Sequence, residues 1–210
     1  DERLGGERRI YDLSPAFSPH PVALVTGSLD LAGHPRHSLG VACRSSWDDA
    51  VERATLEMLQ GTMFVGQLLH RRPDLRGLPA AAVTGFDEHA IYYAANPEAW
   101  PRLPLHRFAE WASPPESDAD ATPVDELAAL VDALTEAGVR LYYRDLTTVD
   151  VNQLGITVVR VLSPDLTPIH HDHRWPFIGG RANDLQWRYP DGEERRGNRA
   201  FPSPFPHALG

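Results

Sequence analysis

Arg53, Glu57 and Gln60 recur at i, i+4 and i+7 in the stretch AVERATLEMLQ, Ala50–Gln60. On a helix those positions share one face, so a guanidinium, a carboxylate and an amide come within reach of a common ligand. Such a set suits a phosphate, a divalent cation and the polar edge of a ligand. The same residues also make an ordinary solvated face with an Arg53–Glu57 pair, and residue types alone favour that plainer reading. A second cluster, His170-His171-Asp172-His173, carries metal-ligand chemistry. Adjacent residues of a loop seldom converge on one ion, and no helix-borne partner cluster accompanies them, so a solvent-exposed polar loop is expected. Alternate prolines in FPSPFP, Phe201–Pro206, impose an extended backbone with few donors, while the two phenylalanines have surface to bury. Asp145–Asp150 (DLTTVD) is a polar turn between two strand-like runs, where capping and turn roles are expected.

Composition narrows the chemistry further. Every basic residue among the 20 is arginine. Without lysine there is no phosphate-loop lysine, no Schiff-base amine and no kinase strand lysine. The net charge of -9 argues against a general nucleic-acid surface. No apolar run reaches the ~18 residues of a membrane span. The single cysteine, Cys43, has no partner within the chain, which suits a reducing, cytoplasmic setting. With 42% hydrophobic residues over 210 positions the chain can bury a core. It starts at Asp1 with no leader-like stretch, and is expected to be part of something longer.

Several elements must position these residues. Val22–Thr26 and Leu39–Cys43 are β-branched, strand-like runs with a turn at Gly33-His34-Pro35 between them. Ser46 caps a helix whose first turn carries Asp48 and Asp49 and whose apolar period continues to about Leu69, before Pro73 ends it. A short helix is expected around Leu105–Ala112 inside a proline-rich excursion. Another runs from Pro123 to Ala137, with proline at its start and Gly138 as its stop. Val139–Arg144 and Thr157–Leu162 read as strands. The fold class is α+β: a mixed sheet with packed helices and an extended proline-rich C-terminal tail. The expected divisions are a linker or incoming segment over 1–21, a main body over 22–175, and a tail over 176–210 that runs back toward the active site.

Taken in order, four stretches resemble the YcaO family, specifically its azoline-forming cyclodehydratases. Gly40–Gln60 is similar to the family segment that ends A-x-x-R-A-x-x-E-x-x-Q. Glu136–Pro168 resembles the stretch in which a helix stops at glycine, a strand leads to D-x-T-x-x-D, and VVRV and P-x-L follow. Gly179-Gly180-Arg181 resembles the closing G-G-R, and Pro202, Pro204 and Pro206 match the terminal P-x-P-x-P. The two earlier E-x-x-E-R helices of the family are absent, so the resemblance is to the C-terminal portion only.

That resemblance implies ATP- and Mg2+-dependent cyclodehydration of Cys, Ser or Thr residues in a ribosomal precursor peptide to thiazolines or oxazolines. Such chemistry belongs to the biosynthesis of peptide antibiotics. It implies Arg53 as a phosphate contact, Glu57 and Gln60 as nucleotide-lining residues with Glu57 also on the metal, and Pro202, Pro204 and Pro206 as a tail that helps assemble the catalytic site. Arg160 and Arg181 are weaker phosphate contacts. Implied partners are the precursor peptide, an E1-like or ThiF-like leader-binding protein, and the remainder of the domain or a second subunit, with homodimerisation open. Nucleic acid and membrane are not expected. Two alternatives stay in play: thioamide or amidine formation within the family, and a non-catalytic scaffold that recruits peptide.

Overall fold

Strand Arg9–Asp12 (β1) is the first element of the computed structural model, which describes residues 8–31, 34–103, 105, 121–177, 181 and 203–209. It pairs antiparallel with Val22–Leu31 (β2), which pairs antiparallel with His34–Cys43 (β3), giving a three-stranded sheet with β2 at its centre. The register Leu24↔Val41 and Val25↔Gly40 sends alternate side chains to opposite faces. Ala23, Val25 and Ala42 therefore bury on one face, and Leu24 and Leu39 on the other.

The first face is covered by helix Trp47–Arg71 (α1). Ser46 caps it by accepting from the Asp49 amide at 3.2 Å, and Asp48 and Asp49 lie in its first turn, as the sequence indicates. Ala50, Ala54 and Met58 form the stripe that meets the sheet. The second face is covered by helix Phe86–Ala95 (α2) and the 3-10 turn Pro97–Arg102. Tyr93 packs edge-on to Trp100 at 5.6 Å and to Tyr92 at 5.0 Å, and His37 of β3 stacks on Trp100 at 4.9 Å. Such aromatic pairs add about 0.5–1.5 kcal/mol each beyond their burial.

Helix Pro123–Glu136 (α3) opens with a reciprocal capping box between Thr122 and Asp125, and Gly138 follows it at φ 70°. Strands Tyr142–Asp145 (β4) and Val159–Leu162 (β5) form an antiparallel ribbon, with the one-turn helix Val149–Gln153 (α4) in the connection. Within that connection, Thr147 donates its amide to Asp145 Oδ1 at 2.8 Å and accepts from the Val158 amide at 2.9 Å. Its role is thus turn-forming. The expected helix near Leu105–Ala112 lies, apart from Leu105, outside the described residues. The fold is α+β, with small antiparallel sheets and packed helices.

Candidate functional site

Glycine sets how closely α1 approaches β3. A Cβ on Gly40 would collide with the Ala54 carbonyl and stand 2.7 Å from the Met58 amide nitrogen, so helix and strand backbones touch there. This approach carries Glu57 to the outer edge of the sheet, where Glu57 Oε2 accepts from the Val41 amide at 2.9 Å. Because β3 is an edge strand, the carboxylate covers an N–H that has no neighbouring strand. The anticipated Arg53–Glu57 pair is not formed: Arg53 is exposed, and Glu57 turns to β3 instead.

Glu57 and Gln60 line a cavity of about 320 Å³ with Ser38, Gly61 and Phe64, and with Ala208 and Leu209 of the C-terminal tail. Contacts among the described residues hold the tail in place. Tyr93 Oη donates to the Pro206 carbonyl at 2.5 Å, the Arg102 guanidinium sits 4.8 Å above the Phe205 ring, and His89 Nδ1 lies 3.2 Å from the His207 carbonyl. Pro206 is buried and Pro204 exposed; Pro202 lies outside the described residues. The structure therefore brings Glu57, Gln60 and the end of the tail together.

The other candidates stand apart from that cavity, and Arg53 does not line it. Arg160, on β5, faces Arg144 across the β4–β5 ribbon. Arg181 Nη1 donates to the Ala137 carbonyl at 2.8 Å, at the end of α3, where a cation favours the helix dipole. It lines a separate cavity of about 360 Å³ with Asp165 and Phe177.

A nucleotide with its Mg2+ fits one edge of the Glu57 cavity and no more. Mg2+ takes one or two protein carboxylates beside phosphate and water, and Glu57 Oε1 could be one of them. Among the described residues no guanidinium lines the cavity.

A histidine cluster that the sequence conceals lies against the same tail. His89 of α2 is fully buried and stacks on His207 with centroids 3.7 Å apart and planes within 7°. His170 stands edge-on at 5.6 Å from His89 and 4.9 Å from His207, with His173 6.3 Å from His89. The expected solvent-exposed loop is thus only partly exposed. His170 and His173 turn inward, while Asp172 pairs with Arg174 at 2.6 Å and His171 meets Phe86. Burial, reinforced by His207, pushes His89 down to about 4; burial also lowers His170 and His207. His170 and His173 also line an apolar cavity of about 400 Å³ with Leu24, Leu39, Leu103 and the tail. Ala208 and Leu209 border both cavities, so the tail forms the partition between them.

The YcaO cyclodehydratase family model, described as ATP- and Mg2+-binding, matches residues 2–167. No curated protein matches the chain. Among solved structures, the heterocyclase TruD is similar at 20% identity and a TM-score of 0.55, over 94% of this chain and 25% of that one. A heterocyclase in complex with substrate and cofactor is similar at 21% identity and TM-score 0.54, over 87% of this chain and 23% of that one. The E. coli microcin synthetase McbBCD complex is similar at 16% identity and TM-score 0.51, over 76% and 39%. At these identities the likeness is one of fold, and the chain spans only about a quarter to two fifths of those proteins.

Proposed function

The chain belongs to the YcaO family, and from that premise we propose that it is the C-terminal portion of an azoline-forming cyclodehydratase acting on a ribosomal precursor peptide. What supports the reading is the cavity in which Glu57 and Gln60 meet the returning tail. In this reading residues 1–21 are the incoming segment, 22–175 the body and 176–210 the tail. Bound Mg2+ and ATP would supply phosphorylation of a peptide amide oxygen, which turns a poor leaving group into a good one.

The contribution of this chain is to hold and orient. Glu57, fixed by the Val41 amide, presents its free oxygen as a hard donor. Gln60, one turn on, offers an amide to the polar edge of the ligand. The tail, tied down at Pro206 and His207, forms one wall of the cavity through Ala208 and Leu209. Arg53 and, more weakly, Arg160 and Arg181 are phosphate contacts that need polypeptide beyond this chain to bring the ligand to them. The remaining carboxylates come from the rest of the domain or a second subunit, and substrate delivery from an E1-like or ThiF-like leader-binding partner. A cytoplasmic setting belongs to the same proposal; among the described residues no helix is long and apolar enough to cross a membrane.

The test is peptide-dependent ADP release and loss of one water per ring by the complete enzyme. Glu57→Gln keeps a carbonyl acceptor for the Val41 amide but loses the charge, and is expected to lower turnover by at least tenfold, a loss of about 1.4 kcal/mol. Arg53→Ala should act in the same direction. If both variants match the parent, the site assignment falls. A scaffold reading is favoured by one observation, that Glu57 already has a structural partner in Val41. It predicts that Glu57→Gln changes peptide capture or stability and leaves ADP release untouched. Thioamide formation would instead show as exchange of oxygen for sulfur in the product mass.

A further inference from the structure

The four clustered histidines have no part in the proposed cyclodehydration, and their chemistry stands independently of it. We propose that His89, His170 and His207, with His173 as the fourth ligand, form a binding site for a divalent transition cation of the Zn2+ type that clips the C-terminal tail to α2.

The potential ligand atoms of His89, His170 and His207 all lie within 4.8 Å of one another. Four ring nitrogens are buried without a hydrogen-bond partner: His89 Nε2, His170 Nε2, His173 Nδ1 and His207 Nδ1. Buried polar atoms are normally satisfied, so three orphans of one chemical kind in one group, with a fourth on the His173 ring about 6.2 Å from His170, call for a ligand that accepts lone pairs.

The opposite edges of two rings are already engaged. His89 Nδ1 lies 3.2 Å from the His207 carbonyl, and His207 Nε2 lies 2.6 Å from the His170 carbonyl. A carbonyl only accepts, so the proton sits on each of those nitrogens and the lone pair on the orphan one. For His89, the ring that stays in place, this is the backbone support that orients metal-binding histidines. Among the described residues the donor set is imidazole alone. Asp172 is held by Arg174, and the one cysteine, Cys43, is exposed at the end of β3. Neutral nitrogen donors in a near-apolar setting suit Zn2+ and its neighbours rather than Mg2+ or Ca2+.

Two imidazole nitrogens on tetrahedral zinc stand roughly 3.3 Å apart at Zn–N distances of about 2.0–2.1 Å. Binding therefore draws the rings together and turns His207 out of its parallel stack on His89, so that the two lone pairs converge. His89 is fixed on a helix, whereas His207 lies outside any helix or strand, and its ring makes that turn about its own side-chain bonds at the cost of the contact with the His170 carbonyl. Metal loading and tail position are thereby coupled, and the tail borders the Glu57 cavity.

The experiment uses the full protein, with any polypeptide that co-purifies. Metal content is measured for the parent, for the triple variant His170→Gln/His173→Gln/His207→Gln, and for His171→Gln. The parent and His171→Gln are expected to hold one more zinc equivalent per chain than the triple variant. Single His170→Gln or His207→Gln changes should weaken Zn2+ binding at least about tenfold. After chelation and reloading with Co2+, the parent should gain tetrahedral visible bands without thiolate charge-transfer absorption. Zn2+ should also slow carboxypeptidase removal of the tail in the parent. Equal metal content in parent and triple variant overturns the proposal. If the triple variant does not fold, the stripped parent decides alone: failure to take up Co2+ with nitrogen-ligand bands overturns it.

Discussion

Glu57 shows how one side chain can be visible in sequence and still misjudged. Its spacing from Arg53 suggests an ion pair along the helix, yet the carboxylate turns to the Val41 amide, because an edge-strand N–H is the stronger demand. The histidines were legible only in half. His170 and His173 stand close together in sequence, but their partners His89 and His207 come from a helix and a tail that only the fold brings near. Nothing local in HHDH reveals such convergence. Asp165 offers a test of charge at this scale. Hydrogen bonds from the Arg140 guanidinium, both at 3.0 Å, and then from its amide, at 2.9 Å, hold its carboxyl down at about 2, from an ordinary value of 3.8. A depressed carboxyl stabilises the fold above its unfolded value and loses that contribution as pH falls toward 2. Arg140→Ala should therefore lower the urea midpoint at pH 7, with the gap to the parent closing as pH drops from about 4 to 2. A gap that stays constant with pH would show the pair to be unimportant.

Elements with local punctuation were readable. α1 carries its cap at Ser46, acids in its first turn and an apolar stripe, and α3 carries Pro123 and Gly138. α2 was not, for physical reasons. Gly85 supplies no side-chain cap, and the helix is short and buries His89, Ile91, Tyr92 and Tyr93 rather than one clean stripe. β1 was hidden for the opposite reason, four residues set between charged and proline-rich stretches. Its place in the sheet comes from pairing with β2, which no local propensity encodes. The α1–β3 crossing carries a prediction of its own. Gly40→Ala puts a methyl against helix backbone, which has no rotamer to yield, so α1 must move. The expected cost is near the upper end of the ~1–3 kcal/mol typical of overpacking, read as a lower thermal midpoint. Glu57 should shift with the helix, so ADP release by the complete enzyme should fall further than lost stability explains.

Over the whole molecule, burial is uneven. Residues 9–103 sandwich a sheet between helical layers, whereas the β4–β5 ribbon is exposed on both faces: Tyr142 is 58% and Tyr143 79% exposed, and Val161, opposite Tyr143, 57%. Two-stranded ribbons are marginal alone. This chain by itself is expected to bind a hydrophobic dye and to associate as concentration rises, seen by light scattering. The paired change Tyr143→Glu/Val161→Lys should restore a monodisperse species; unchanged scattering would assign the association to another surface. The ties that hold the tail have a different character from those that hold the sheet. Pro206 and His207 are gripped by their main-chain carbonyls, a feature every amino acid shares, whereas the Phe205 ring lies under Arg102 and the His207 ring reaches the His170 carbonyl. The route of the last residues is thus written partly in the scaffold that receives them and partly in the Phe205 and His207 rings, so a foreign terminal peptide is expected to follow it only with those two side chains in place.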